Sequence, residues 1–113
     1  VEKLTVSRGK NALYFKYDGE VTLDVTPELK RHLDAELADN EVAAVVLDLS
    51  GVGFMDSSGI GFLVSVNTRM RSIGKACYLC RLSPKVRKTL GLVQLLSYFQ
   101  VLENEEDVAA LLS

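Results

Sequence analysis

Hydrophobic and polar positions alternate along the first part of the chain and then switch period. "LTVS" (4–7) and "ALYFKYDG" (12–19) read as two strands around the turn "RGKN", with Leu13, Phe15 and Tyr17 sharing one face of the second. A hairpin is expected there. Leu29, Leu33 and Leu37 then recur every fourth residue behind Thr26-Pro27, which predicts an amphipathic helix with Thr26 as N-cap and Pro27 at the first helical position. "VAAVVLDLS" (42–50) is almost continuously apolar, as a strand covered on both faces requires, so Val45 and Leu47 should lie mid-sheet.

The pattern continues with Ile60, Leu63, Val64 and Met70 on one face of a second helix that ends near Gly74, followed by "KACYLC" as a strand. Ser83 and Pro84 open a third helix lined by Val86 and Leu90. A helical turn and a short strand around Phe99–Leu102 follow. Asn104 should cap a last helix, "EEDVAALL", whose acidic first turn complements the helix dipole. The order ββαβαβαβα predicts an α/β fold, a single domain over 1–113, with a mixed sheet of about five strands covered by about four α-helices.

Composition narrows the choice of partners. The chain has 113 residues, a formal net charge of -2, and 48% hydrophobic and 25% charged residues, so nothing drives it toward nucleic acid. Its longest apolar run, Val42 to Leu47, is far short of the roughly 20 residues of a membrane helix, and "VEKLTVSRGK" lacks the apolar centre of a signal peptide. A cytoplasmic monomer without direct membrane insertion is expected. Cys77 and Cys80 stand three apart, on opposite faces of a strand and roughly 10 Å apart along it, which suits two reduced structural thiols better than a disulfide or a metal.

Catalytic signatures fail one by one. "FMDSSGIG" (54–61) sits at a strand-to-helix junction like an esterase elbow, but G-x-S-x-G would need glycine where Met55 stands for Ser57, or where Asp56 and Ile60 stand for Ser58. The single histidine, His32, falls on a helix where a solvated role is expected. Gly51-Val52-Gly53 would need a glycine at Asp56 to continue as a dinucleotide loop, and G-K-S/T is absent. Asp48 should end a strand and Asp56 should cap a helix; neither belongs to a recognisable metal set. No cofactor, metal or enzymatic activity is expected. What stands out is Gly59 and Gly61, each costing roughly 0.5 to 1 kcal/mol relative to Ala in a helix. Either tight packing or an accessible helix start would compensate.

"VVLDLSGVGFMDSSGIGFLV" resembles the signature segment of the STAS-domain family, specifically the bacterial anti-sigma-factor antagonists. "VSRGKNALYFKYDGEV" resembles the family's opening hairpin and "LSPKVRKTLGLVQLL" its S-P-x-V helix, so the resemblance spans nearly the whole chain. It implies a phosphoacceptor directly after the aspartate of the D-S-[ST]-G turn, here Ser57. It further implies a partner surface of Asp56, Ser57, Ser58, Gly59, Gly61 and Phe62, an anti-sigma factor with serine kinase activity as partner, and a serine phosphatase that reverses the mark. Where the family commonly reads G-x-[apolar]-D after the hairpin, this chain has Gly19-Glu20-Val21-Thr22, with its aspartate at Asp24. Family members also serve as scaffold subunits of lipid- or anion-transport complexes, and a small-ligand or nucleotide-sensing module is a further alternative.

Overall fold

A computed structural model describes residues 3–113; Val1 and Glu2, the first two residues of the expected domain, lie outside the described residues. Strands β1 (Leu4–Arg8) and β2 (Ala12–Tyr17) form the expected antiparallel hairpin, with Val6 opposite Phe15. β2 then pairs in parallel with a strand over Ala44–Asp48, which pairs with Ala76–Cys80, which pairs with Gln100–Leu102. Numbered in chain order these are β4, β6 and β7, and the five-stranded mixed sheet runs β1-β2-β4-β6-β7. Every residue of β4 is buried, as its unbroken apolar run requires at the centre of a sheet covered on both faces.

Two short strands were not anticipated. β3 (Gly19–Val21) and β5 (Val52–Met55) pair in parallel as a separate two-stranded sheet, with Val21 opposite Met55. At three and four residues, with β5 buried, exposed, exposed, buried instead of alternating, neither carries enough periodicity to be seen in sequence. Gly19, at φ +146°, makes the break between β2 and β3 in a conformation that favours glycine.

Four helices cover the main sheet: α1 (Thr26–Leu37), α2 (Ser57–Ser72), α3 (Pro84–Leu92) and α4 (Glu105–Leu112). The main core joins Leu13, Phe15, Val45, Leu47, Cys77 and Leu79 of the sheet to Leu29 and Leu33 of α1, Leu63 and Met70 of α2, and Val86 and Leu90 of α3. The opposite face is smaller: Val46, Cys80 and Val108 are buried there, with Tyr14, Tyr78, Leu102, Leu111 and Leu112 packed around them. Cys77 and Cys80 thus occupy different cores, both as free thiols, which is the outcome of three-residue spacing on a strand.

Capping departs from expectation at two helices. Thr26 is the first residue of α1 rather than its cap; Val25 takes the cap position, and the N–H groups of Val25 and Thr26 both donate to the Thr22 carbonyl, each at 3.0 Å. The tight turn at 22–25 supplies backbone acceptors, so no side chain is needed. Asn104 occupies the cap position of α4 but its side chain makes no cap bond, its amide being turned toward Asp107. Ser83 does cap α3, accepting from Val86 N at 3.2 Å while donating to the Val52 carbonyl at 2.7 Å, which also ties α3 to β5. The buried stripe of α2 is Gly59, Phe62, Leu63, Val66, Asn67 and Met70, rotated from the expected face, with Ile60 and Val64 only half-buried. Its end does fall as expected: Gly74, at φ +74°, lets Lys75 N donate back to the Met70 carbonyl at 2.8 Å.

Candidate functional site

The small sheet determines how the "DSSG" turn is held. Because Val21 and Met55 are register partners, the turn after β3 and the start of α2 emerge side by side. Asp56 fastens them to each other. Its backbone is extended (φ -91°, ψ -173°), and its Oδ1 accepts from Gly59 N at 3.0 Å, the bond that caps α2. Its other oxygen, Oδ2, accepts from Leu23 N at 3.2 Å, and Asp56 N donates to the Val21 carbonyl at 3.3 Å. One carboxylate therefore serves two loops, and the expected cap is one of its two bonds.

Ser57, the first residue of α2, is exposed, and its hydroxyl has no hydrogen-bond partner among the described residues. Ser58 is half-buried and lines an open groove of about 340 Å³ between α1 and α2, with Thr26, Pro27, Lys30, Gly61, Phe62 and Ser65. The two glycines separate cleanly. A Cβ on Gly59 would meet the Val21 carbonyl oxygen at 2.4 Å and Met55 Cγ at 2.5 Å, so this glycine admits β3 and β5 against the helix. A Cβ on Gly61 would meet nothing within 4 Å. Of the six residues expected at a partner surface, Ser57 and Gly61 are exposed, Asp56 and Ser58 are half-buried, and Gly59 and Phe62 are buried. Tight packing accounts for one glycine and leaves the other open.

A second polar cluster lies on the opposite face, and sequence reasoning reached it only through Asp48 as a strand end and Glu105 in an acidic first turn, without the link between them. Asp48, 1% exposed, accepts from the Tyr14 hydroxyl, from Ser50 N at 2.9 Å, from Ser50 Oγ at 2.7 Å and from Arg81 at 2.7 Å. Burial would raise the Asp48 pKa, but these donors together outweigh it and hold it below the ordinary carboxylate value. Tyr14 is pushed well above a free phenol by burial and by its bond to Asp48. Arg81, a non-glycine residue at φ +50°, reaches from the end of β6 to both Asp48 and Glu105, donating to Glu105 Oε1 at 2.7 Å. The cluster bolts the first turn of α4 to the sheet.

Other candidates for chemistry are quiet. Burial pushes both thiols up to about 12. His32 lies exposed on α1. Among the described residues there is no group of three or more His, Cys, Asp or Glu that could hold a metal, and no helix long and apolar enough to cross a membrane.

Comparison with known proteins matches this architecture to one family. The family model for the STAS domain matches residues 3–108. A protein of Bordetella bronchiseptica named as the anti-sigma factor antagonist BtrV is 30% identical over 108 residues, covering 96% of this chain and 92% of the relative. A Thermotoga maritima protein described as an anti-sigma factor antagonist superposes with a TM-score of 0.85 at 18% identity, over 96% of this chain and 93% of that one. SpoIIAA, a Bacillus cell fate determinant, superposes in its unphosphorylated form with a TM-score of 0.77 at 18% identity (95% and 94% covered) and in its phosphorylated form with 0.73 at 17% (95% and 97%). With the family model spanning all but a few residues at either end and the mixed sheet and four helices in place, the chain belongs to the STAS-domain family.

Proposed function

We propose that this protein is an anti-sigma factor antagonist: a cytoplasmic binding module, not an enzyme, whose affinity for an anti-sigma factor with serine kinase activity is switched by phosphorylation of Ser57. The observation that carries the reading is the Ser57 hydroxyl, free and exposed at the first position of α2, directly after the Asp56 cap. Support also comes from the name of the Bordetella relative and from SpoIIAA having been solved with and without phosphate. Unphosphorylated, the domain sequesters the anti-sigma factor and so releases a sigma factor; a serine phosphatase restores that state.

The physics of such a switch is local. A phosphate adds roughly -1.5 to -2 charges at neutral pH; the helix N-terminus favours them and Asp56 opposes them, so the fold persists. A partner surface shaped around a small neutral hydroxyl would meet a bulky dianion instead. In this reading Ser57, Ser58 and Gly61 touch the partner, while Asp56, Gly59 and Phe62 hold that surface in place from behind.

Incubation with ATP and the anti-sigma factor kinase of the same genome tests the reading, with mass spectrometry of the peptide spanning residues 54–69. One phosphate on Ser57 is expected, with Ser58 unmodified. Ser57→Ala should bind the anti-sigma factor and resist inactivation, and Ser57→Asp should mimic the phosphorylated form only in part, since it carries roughly one charge in place of nearly two. Phosphate on Ser58 would move the acceptor by one residue. No phosphate with any serine kinase of the source cell would overturn the switch and favour a scaffold role.

A further inference from the structure

The most exposed large apolar side chain among the described residues is Leu92, at 75%, with Val93 next to it at 46%. Leu92 ends α3, whose inner face is Val86 and Leu90. At 100° per residue, Lys85, Lys88 and Leu92 fall together on the face opposite those two, so Leu92 stands where a helix of this kind ordinarily places a charge. Beside it Gly91 is exposed and a Cβ there would meet nothing within 4 Å, so the surface around the leucine is open.

Charge marks the same face. α3 carries Lys85, Arg87 and Lys88 and no carboxylate, in a chain whose net charge is -2. Arg87 is engaged by Glu103 at 2.7 Å, whereas Lys85 and Lys88 are exposed and make no ion pair among the described residues. An apolar knob flanked by two free cations is the arrangement of an interface anchor with a charged rim. α3 also packs along β5, which carries the half-exposed Phe54 and leads within two residues into Asp56 and Ser57.

We propose that the outer face of α3, centred on Leu92 with Lys85 and Lys88, is a docking surface for a protein partner that presents an apolar socket rimmed by carboxylates. This rests on the reading above, and the partner is the same anti-sigma factor, gripped at α3 as well as at Ser57. Two lysines and two aliphatic side chains are too few to hold the domain on a lipid surface, where each cation near an anionic membrane contributes only about 1 kcal/mol.

The test is biolayer interferometry against the immobilised anti-sigma factor kinase of the same genome, at about 50 and 300 mM salt, with the wild type and two variants. Lys85→Glu/Lys88→Glu should lose about tenfold in affinity at the lower salt, mainly through slower association, and the loss should shrink at the higher salt. Leu92→Ala should lose about fivefold, mainly through faster dissociation and at either salt. Thermal melts check folding, and a charge-reversed protein with a lowered Tm is replaced by Lys85→Gln/Lys88→Gln. Wild-type binding with both variants unchanged would overturn the α3 surface and leave the Ser57 switch standing; no wild-type binding would overturn both. Cosedimentation with phosphatidylserine vesicles that is abolished by the charge reversal would assign the face to membranes and overturn the proposal.

Discussion

Gly59 and Gly61 stand two residues apart on one helix and answer to different constraints, so substitution should separate them. Gly59→Ala forces a methyl into the Val21 carbonyl and the Met55 side chain, and is expected to destabilise by about 1 to 3 kcal/mol, as overpacking does. Gly61→Ala meets open space near the start of α2 and is expected to stabilise by about 0.5 to 1 kcal/mol. Urea melts of the two variants decide it, and equal effects would refute the division. The bulkier Gly61→Leu should leave the circular dichroism unchanged while weakening partner binding under the proposed function. Sequence shows that two glycines in one helix start need a reason. It cannot show which one is packed, because the packing partner is β3, a three-residue strand without a legible period. The same limit applies to caps: Asp56 and Ser83 act as their residue types suggest, but at α1 the Thr22 carbonyl takes the place of the Thr26 hydroxyl.

Among the elements, α4 is the most weakly held cover of the sheet: Val108 is its one buried residue, and Leu111 and Leu112 are only half-buried. Its first turn depends on Arg81, through the bonds to Glu105 and Asp48. Local opening should therefore lift α4 before the rest unfolds. Cys80 lies beneath it and Cys77 in the main core, which makes the thiols separate reporters. Thiol labelling under native conditions is expected to reach Cys80 well before Cys77, and Arg81→Ala should speed the first without changing the second. Equal rates for both thiols would mean that α4 opens only with the whole fold. The opposite-face placement of the cysteines was legible from their spacing. The clasp was not: the carboxylates of "EED" read as dipole partners, and nothing local links Glu105 to an arginine 24 residues earlier in a left-handed conformation.

At the scale of the whole molecule, apolar runs and four-residue repeats were enough to place four strands of the main sheet and the longer helices, β4 being buried throughout; β7, three residues long, shows no period of its own. Stability of that whole should depend on acid through Asp48. Its folded pKa lies below the ordinary value of 3.8, so its contribution is full above that value and is lost as pH falls through the folded pKa. Asp48→Asn is expected to lower stability at neutral pH and to flatten the acid limb of a stability curve measured from pH 2 to 7. An unchanged limb would show that other carboxylates dominate it. The small β3–β5 sheet joins residues 19–21 to residues 52–55, so α1 and β4 must be threaded between them before the two strands can meet. Closing so long a loop comes late in folding. An unfinished chain therefore contains the letters "DSSG" without the surface they form, and under the proposed function a peptide of residues 54–69 is expected to be a poor phosphate acceptor beside the folded domain. A kinase that depends on that surface would count only completed molecules, so a nascent or damaged copy could neither be marked nor compete for the partner.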